Sequence, residues 1–315
     1  MIRSEPLALR VRQIEPLSPT LRRLTLEAAD FGLLPTTQPG GHISLTLQTA
    51  SRAHHNSYSI VSPCAERGVY QLIVRRTANS RGGSHYLHEA LQVGQVLHSS
   101  PPNSQFPLQS LARKHVLIGG GVGVTPLLSF LPELRARQAR LELHQIAQPE
   151  EAGLFEQLLG PFAGDDVHVH AGRKGLDLTR ILERQPLGSH LYCCGPQPLM
   201  DAVREAALAL GWPASRIHEE RFGAAGGDPF TVKLASDGRE IAVGEHETML
   251  EALENAGLPV PSLCRGGACG ECLTGVVDGA PDHRDHVLSK QEKAEGRLVM
   301  PCVSRSKTPH IVLDL

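Results

Sequence analysis

Four cysteines near the C-terminal end constrain the fold of this chain more than any other feature. Cys264, Cys269 and Cys272 have the spacing C-x4-C-x2-C, and 29 residues separate Cys272 from Cys302. This spacing is typical of the plant-type [2Fe-2S] cluster, which four thiolates hold. A structural zinc site is the alternative, but zinc sites favour two short knuckles, which the four-residue first gap fits poorly. We therefore expect all four cysteines to be iron ligands.

The residues around these cysteines predict a small α+β domain of the β-grasp type over 225–315. Segments 230–234 and 240–243 alternate in polarity around the turn 236–238, which predicts a hairpin. Residues 248–257 begin with Thr-x-x-Glu and end with glycine, which predicts a capped helix. Glycines in the cysteine loop allow the sharp bends that a small cluster requires.

A glycine-rich turn in the middle of the chain indicates a dinucleotide site. Residues 114–118 form an apolar strand, and a helix is expected from Leu127. Between them lie Gly119, Gly120, Gly121 and Gly123, followed by Thr125. Such a turn lets backbone amides and a helix N-terminus approach a pyrophosphate. The spacing is not G-x-G-x-x-G, so a turn required only for packing is the alternative.

Further apolar segments extend this region into a parallel α/β sheet over 108–224. Strands are expected at 141–146, 167–170 and 190–196, with helices between them. In such sheets ligands bind at the carboxyl ends of the strands, so the glycine turn and a second loop should face one crevice. That second loop contains Cys194, Gly195 and Pro196.

Residues 1–107 show short alternating segments and predict an antiparallel β-barrel of six strands. The expected strands are 8–11, 21–26, 42–47, 57–60, 70–74 and 95–97. Two places in this region carry candidate binding residues. The first is Asn56, Tyr58 and Ser59; the second is Arg81, Gly82, Gly83 and Ser84, directly before an expected helix at 85–91. The second group could bind a phosphate through amides, a hydroxyl and a guanidinium, or could be a helix cap beside solvated arginines.

Taken together, these motifs resemble the oxygenase reductases of the ferredoxin-NADP-reductase superfamily, the phthalate dioxygenase reductase family. The resemblance spans nearly the whole chain and includes two further segments, 220–223 and the closing 311–315. It implies an FMN-binding barrel, an NADH-binding α/β domain and a [2Fe-2S] domain, in that order. It also implies that Phe222 stacks near the flavin, that Cys194 lies near the nicotinamide and that Thr125 lies near the flavin edge.

The resemblance further implies an electron-transfer function. Electrons would pass from NADH through FMN and the cluster to a Rieske-type oxygenase that acts on phthalate or a related aromatic acid. Two alternatives stay open at this point. The same electron relay could serve a non-oxygenase acceptor, or the chain could be a [2Fe-2S] redox sensor without turnover.

One position departs from the family pattern. The family motif before the flavin tyrosine usually places an arginine where this chain has Asn56, so the contact with the flavin phosphate is in doubt. We hypothesise that Arg81, or Arg52 in the preceding loop, supplies the missing charge.

The coenzyme preference has two opposing signals. No Lys or Arg occurs from Leu141 to Gly172, which argues against a pocket for a 2′-phosphate after the second strand. Arg173 and Lys174 follow the third strand, where reductases of this superfamily often bind NADPH. The family resemblance favours NADH.

Composition excludes several other classes. The net charge of −2 gives no basic field for nucleic acid, and the most apolar stretch is interrupted by glycines and a proline, so no membrane span is expected. We expect a cytoplasmic monomer.

His168 and His170 are expected to face solvent rather than bind metal. Residues 282–286 are expected to form a polar surface loop, and Cys64 and Cys193 to be thiols without a ligand role.

Overall fold

The computed structural model describes residues 6–49, 53–77, 82–174, 176–222, 226–245, 247–263, 265–267, 269–285 and 287–315. These residues form two compact units. The first comprises the chain up to Leu45 together with Tyr58–Phe222, and the second comprises Thr46–Ser57 together with residues from 226 to Leu315. Among the helices of the described residues, none has both the length and the apolar character needed to cross a bilayer.

An antiparallel sheet is built from the first seven strands. They are β1 (Leu7–Pro16), β2 (Leu21–Ala28), β3 (Gly41–Gln48), β4 (Ala53–Ser59), β5 (Tyr70–Arg75), β6 (Val96–Ser99) and β7 (Asn103–Ser104). Their order is β4-β3-β6-β1-β2-β5, and β7 pairs with β3. A bridge between Ile60, directly after β4, and Leu72 of β5 joins the two ends of this order. The sheet therefore closes as the expected barrel.

Side-chain alternation explains how this barrel is filled. Leu9 and Val11 of β1 are fully buried, and the register shift between Val11 and Gln13 marks a bulge that interrupts the alternation. The short helix α1 (Gly83–Glu89) follows β5 and starts two residues before the predicted position. β4 begins at Ala53, four residues before the predicted strand. The prediction missed this part of the strand because His54, His55 and Asn56 lack the β-branched and aromatic character typical of strands.

The second sheet is parallel throughout. Its elements are β8 (Lys114–Gly120), α2 (Val124–Ala136), β9 (Leu141–Ala147), α3 (Ala152–Leu159), β10 (Val167–Ala171), α4 (Leu178–Glu183), β11 (Ser189–Cys194), α5 (Gln197–Ala209) and β12 (Ile217–Glu220). The order is β10-β9-β8-β11-β12. The chain first adds strands on one side of β8 and then crosses to the other side. This reversal creates a switch point between β8 and β11, where parallel sheets bind ligands.

Helices cover both faces of the parallel sheet. Leu127, Leu131 and Phe155 of α2 and α3 pack on one face, and Met200 and Val203 of α5 pack on the other. Buried apolar side chains of this kind contribute roughly 1.5–3 kcal/mol each. The edge strand β12 was not predicted, because its sequence Ile-His-Glu-Glu lacks an apolar alternation.

The second unit contains a mixed sheet. Its elements are β13 (Phe230–Leu234), β14 (Glu240–Val243), α6 (Met249–Asn255), β15 (Thr274–Asp278), β16 (Pro281–Asp282), α7 (Lys290–Glu295), β17 (Leu298–Val299), β18 (Arg305–Ser306) and β19 (His310–Leu313). The sheet order is β14-β13-β19-β15-β17, with β13 and β19 parallel. The predicted hairpin of β13 and β14 is confirmed.

The predicted helix cap of α6 is also confirmed. Thr248 accepts a hydrogen bond from the Glu251 amide at 3.0 Å, and the Glu251 carboxylate accepts one from the Thr248 amide at 2.9 Å. This capping box satisfies amides that a helix start otherwise leaves unpaired. It fixes the start of α6, which packs Leu250 and Leu253 into the core of the second unit.

Candidate functional site

The two loops at the switch point lie in direct contact. A Cβ built on Gly123 would lie 2.3 Å from the carbonyl oxygen of Cys194, and one built on Gly120 would lie 2.8 Å from Cδ of Pro196. Neither position can hold a side chain without a shift of backbone or of a proline ring. The sequence placed these two loops at one crevice, and the structure confirms that they meet.

Glycine has different causes along this turn. A Cβ on Gly119 would lie 2.3 Å from Oε1 of Gln145, the end of a buried side chain that would have to shift, and 3.3 Å from Cα of Val124. Gly121 has φ 54°, which favours glycine, and a Cβ on it would approach only Nη2 of Arg75, at 3.8 Å. Gly121 is therefore the position in this turn where a ligand can approach the backbone closely.

Thr125 and Cys194 are both held inside the crevice wall. Thr125 is buried and donates its hydroxyl hydrogen bond to the Val122 carbonyl at 2.9 Å, which fastens the turn to α2. Cys194 is fully buried, and burial raises the pKa of its thiol well above the ordinary value, with the nearby Glu220 carboxylate adding to the shift. The thiol stays neutral, and both residues lie at the crevice without a charge.

Glu220 was given no site role from the sequence, yet it lies beside Cys194. The two residues are register partners at the ends of β12 and β11. Glu220 Oε2 is sealed from solvent, and no hydrogen-bond partner for it occurs among the described residues. Burial raises the pKa of this carboxyl to about 8. A signal was present in the sequence, since Glu220 opens the segment 220–223, but only the structure shows its burial.

The raised pKa of Glu220 predicts that the stability of the parallel sheet depends on pH. Because its pKa is higher in the folded state, the native protein holds more protons than the unfolded chain between pH values of about 4.5 and about 8. Its contribution to the free energy of unfolding therefore falls as pH rises through this window, by up to about 1.4 kcal/mol per pH unit. We expect Glu220→Gln to remove this fall.

Hydrogen exchange of peptides from β11 and β12 measures the effect locally. At the alkaline end of the window the Glu220→Gln protein should be more protected than the native protein, and the difference should shrink toward the acidic end. An equal difference at both ends would contradict the raised pKa. Glu205→Gln, in the exposed part of α5, serves as the control.

Phe222 and Pro196 complete the residues expected near the nicotinamide and flavin. Phe222 follows β12 and is 47% exposed, so its ring is available to a ligand. Pro196 lies at the N-terminal end of α5 with Gly195 before it. Both lie in the first unit together with the glycine turn.

The candidate flavin-binding residues on β4 differ in their surroundings. Ser59 is buried, and its hydroxyl has no hydrogen-bond partner among the residues that the structure describes. An orphaned buried hydroxyl costs free energy unless a ligand satisfies it, which fits a flavin at this position. Tyr58 and Asn56 are half-buried on the same strand. Arg52 lies outside the described residues.

The second set of candidate flavin-binding residues lies at the start of α1. Gly82 has φ 120°, a conformation that favours glycine, and Gly83 begins the helix. Ser84 is buried and its hydroxyl lies 3.4 Å from the Thr77 amide and 3.2 Å from the Thr77 hydroxyl. The Ser84 side chain therefore pairs with Thr77 of its own domain. Arg81 lies outside the described residues.

The cysteine loop has the shape that a compact cluster requires. Arg265, Gly267 and Gly270 have positive φ angles of 50°, 75° and 79°. A Cβ on Gly267 would lie 2.6 Å from Cγ2 of Val303, so the loop packs tightly against the segment after Cys302. Arg265 is held by an ion pair with Glu254 of α6.

The cysteine side chains of this loop differ in exposure. Cys272 and Cys302 are buried, whereas Cys269 is exposed and accepts a hydrogen bond from the Glu271 amide at 3.5 Å. Amide hydrogen bonds to sulfur are typical of iron–sulfur ligands. The thiolate donor set and this amide fit a [2Fe-2S] cluster. Cys264 lies outside the described residues.

The expectation of a polar surface loop at 282–286 is wrong for Asp285. Asp285 is buried and its Oδ2 accepts amide hydrogen bonds from Val287 at 3.1 Å and Leu288 at 2.8 Å. A Cβ on Gly267 would approach Cα of Asp285 to 3.1 Å, so this segment supports the cysteine loop. Periodicity could not show this, because a carboxylate that caps its own backbone looks polar in sequence. His286 lies outside the described residues.

The expectation that His168 and His170 face solvent holds only in part. Both are half-buried on β10 and pack against His144 of β9, with ring centroids 4.8 Å and 5.2 Å away. Parallel register pairs His168 with His144, which places both side chains on one face of the sheet. The alternation was read correctly, but the register that sets His144 of the predicted neighbouring strand opposite His168 was not predicted.

Comparison with known proteins agrees with this geometry. Residues 8–107 match a family described as oxidoreductase FAD-binding domain, and residues 232–307 match the 2Fe-2S iron-sulfur cluster binding domain. Residues 95–217 match the N-terminal domain of dimethylamine monooxygenase subunit DmmA-like proteins. The three matches follow one another along the chain with a small overlap.

Three individual relatives cover almost the whole chain. The heme-dependent oxidative N-demethylase beta subunit of Ectopseudomonas mendocina is 42% identical over 98% of this chain and 99% of its own. Phthalate dioxygenase reductase of Burkholderia cepacia is 36% identical over 90% of this chain and 89% of its own. A solved structure of phthalate dioxygenase reductase has a TM-score of 0.80 at 33% identity and covers 98% of both chains.

These relatives match in sequence, in domain order and in three-dimensional fold. The barrel, the parallel sheet and the cysteine-bearing unit are each accounted for by the same kind of protein. The chain belongs to the phthalate dioxygenase reductase family and is a flavin- and iron–sulfur-dependent oxidoreductase.

Proposed function

We propose that this chain transfers electrons from NADH, through FMN and a [2Fe-2S] cluster, to a Rieske-type oxygenase that acts on an aromatic acid. The observation that carries the proposal is the crevice between β8 and β11, present in a chain that also holds a cysteine loop shaped for iron. A hydride brings two electrons whereas a [2Fe-2S] cluster takes one, and a bound flavin supplies the conversion.

The nicotinamide coenzyme is assigned to the switch-point crevice. The open backbone at Gly121 and the start of α2 favour the pyrophosphate, because free amides and the helix dipole attract negative charge. Cys194 and Thr125 contribute neutral, buried groups that exclude water from the place of hydride transfer. Their task is to position the nicotinamide.

NADH is the proposed coenzyme. Between β9 and the end of β10, where a 2′-phosphate would need a cation, the sequence has no Lys or Arg. Arg173 follows β10 and donates a hydrogen bond to the Pro198 carbonyl at 3.2 Å, so its guanidinium is partly committed to the backbone. The exposed Lys174, in contrast, favours NADPH.

FMN is assigned to the barrel, with Tyr58, Ser59 and the start of α1 as its binding residues. The unsatisfied hydroxyl of Ser59 supports a polar contact there, and Phe222 has an exposed ring for stacking. Arg81 or Arg52 would supply charge in place of the arginine that Asn56 replaces. Cys264, Cys269, Cys272 and Cys302 would hold the iron.

The domain division proposed with this function is 1–107 for flavin, 108–224 for NADH and 225–315 for the cluster. The family matches at 8–107 and 232–307 support the first and third of these.

A second candidate for the oxygenase partner has its own support. The N-demethylase relative is 42% identical, and residues 95–217 match the DmmA-like domain. We therefore propose N-demethylation of an amine as the alternative reaction of the partner. In either system this chain would supply electrons only.

Steady-state turnover tests the electron-transfer proposal. Purified holoprotein should oxidise NADH faster than NADPH at equal concentration with cytochrome c as acceptor, and acid should release FMN rather than FAD. A preference for NADPH would overturn the coenzyme assignment, and release of FAD would overturn the flavin assignment. Negligible NADH oxidation would contradict a reductase and favour a redox sensor.

The partner is tested by reconstitution. Mixed with a Rieske aromatic-acid oxygenase or with a heme-dependent N-demethylase catalytic subunit, the chain should support NADH-dependent product formation with one of them. Product formation with the N-demethylase subunit but not with the aromatic-acid oxygenase would replace the aromatic-acid proposal by N-demethylation.

A further inference from the structure

Three side chains on one face of the parallel sheet come together away from the switch point. Glu142 and His144 lie two residues apart on β9, and His168 is the register partner of His144 on β10. One ligand atom from each of these three residues lies within 4.8 Å of the other two. The proposed electron relay uses none of these residues.

The carboxylate of this group is already oriented. Glu142 Oε2 accepts hydrogen bonds from Gln185 Nε2 at 2.9 Å and from Lys114 Nζ. Glu142 Oε1 lies 2.8 Å from His144 Nε2. The contacts from Lys114 and Gln185 leave Oε1 directed at the histidine, where a cation could take the position of the shared proton.

The tautomer of His144 is fixed from its other side. His144 Nδ1 lies 3.0 Å from Nε2 of His170, the next residue of β10 on the same face. Metal-binding histidines generally direct their second ring nitrogen at such a partner, which fixes the tautomer and the ring plane. His144 is buried, so its ring has little freedom to turn away.

His168 has unused ligand capacity. Its ring is half-buried and stacks on His144, and no hydrogen-bond partner for either ring nitrogen occurs among the described residues. The stacked rings of His144 and His168 are nearly parallel, so one nearby ion cannot lie in the planes of both rings. His168, on the edge strand β10, must therefore rotate about its side-chain bonds to ligate the same ion.

We propose that Glu142, His144 and His168 form a binding site for a divalent transition-metal cation of the zinc class. Two imidazoles and a carboxylate are a ligand set that zinc accepts, with water in the open position. Bond lengths of about 2.0–2.2 Å place two ligands of one tetrahedral ion roughly 3.4 Å apart, so the three groups need to move by less than about 2 Å. The ion would fasten edge strand β10 to β9.

Zn²⁺ added to the iron-loaded holoprotein provides the test. After dialysis we expect one additional zinc per chain by elemental analysis, and X-ray absorption at the zinc edge should show only nitrogen and oxygen neighbours with imidazole scattering. His168→Gln should weaken Zn²⁺ binding at least about tenfold, and His170→Gln, which removes only the supporting contact, by about 10–100-fold.

The matched control is His190→Gln. His190 also lies on a strand of this sheet, with Nδ1 2.9 Å from Nε2 of His218, but it belongs to none of the ligand groups. It should bind Zn²⁺ as the native protein does. Absence of a tight zinc site, sulfur neighbours in the absorption spectrum, or unchanged affinity in His168→Gln would each overturn the proposal. His168 is half-buried, so its variant tests ligation without removing the buried His144.

Discussion

Replacement of Cys272 by alanine should abolish the [2Fe-2S] cluster and leave the flavin in place. Cys272 is buried in the core of the second unit beside Met300, whose sulfur lies 3.9 Å from its own. Three remaining thiolates cannot complete the coordination of a cluster that requires four. We expect the visible circular dichroism and the electron paramagnetic resonance signal of the reduced cluster to disappear, together with all electron transfer to an oxygenase.

The same variant should still oxidise NADH with ferricyanide, because a small oxidant can take electrons without the cluster. The matched control is Cys64→Ala, which removes a half-buried thiol of the first unit. It should keep the cluster spectrum. A normal cluster signal in Cys272→Ala would contradict the ligand assignment, and loss of ferricyanide activity would show that the substitution damages the first unit as well.

Gly123→Ala should have the second largest effect, this time on the nicotinamide coenzyme. The backbone of Gly123 is at φ −63° and ψ −4°, which alanine adopts without strain. The added Cβ would nevertheless lie 2.3 Å from the carbonyl oxygen of Cys194 and 2.7 Å from Cα of Gly195. The two loops must therefore separate.

Separation of the loops should misplace the nicotinamide. A displacement of about 1 Å at a hydride-transfer site can reduce the rate about 100-fold. We expect kcat/KM for NADH to fall by about that factor while the flavin and cluster spectra stay unchanged. Gly153→Ala is the control, because nothing lies within 4 Å of its Cβ position in α3. Normal NADH turnover in Gly123→Ala would contradict the location of the coenzyme at the switch point.

Much of the fold was predictable because its signals are local. The spacing of Cys269 and Cys272, the Thr-x-x-Glu cap at Thr248 and the apolar runs of β8 and β9 each depend on a few neighbouring residues. The meeting of the two crevice loops also followed, since parallel strands end on one edge of a sheet.

Other features depend on contacts between distant segments and could not be predicted in this way. The burial of Glu220 results from its position opposite Cys194, and the packing of His168 results from the register of β9 and β10. Asp285 is polar in sequence but buried, because it caps the backbone that supports the cysteine loop. Register and burial are properties of the assembled sheet.

Anaerobic titration of the holoprotein with NADH tests the central claim most directly. A flavin that stores two electrons and a cluster that stores one should be fully reduced by about 1.5 equivalents of NADH. We predict that the flavin absorbance bleaches and that the electron paramagnetic resonance signal of a reduced [2Fe-2S] cluster grows within the same titration. Bleaching of the flavin with no signal from the cluster would contradict transfer of electrons between the two centres.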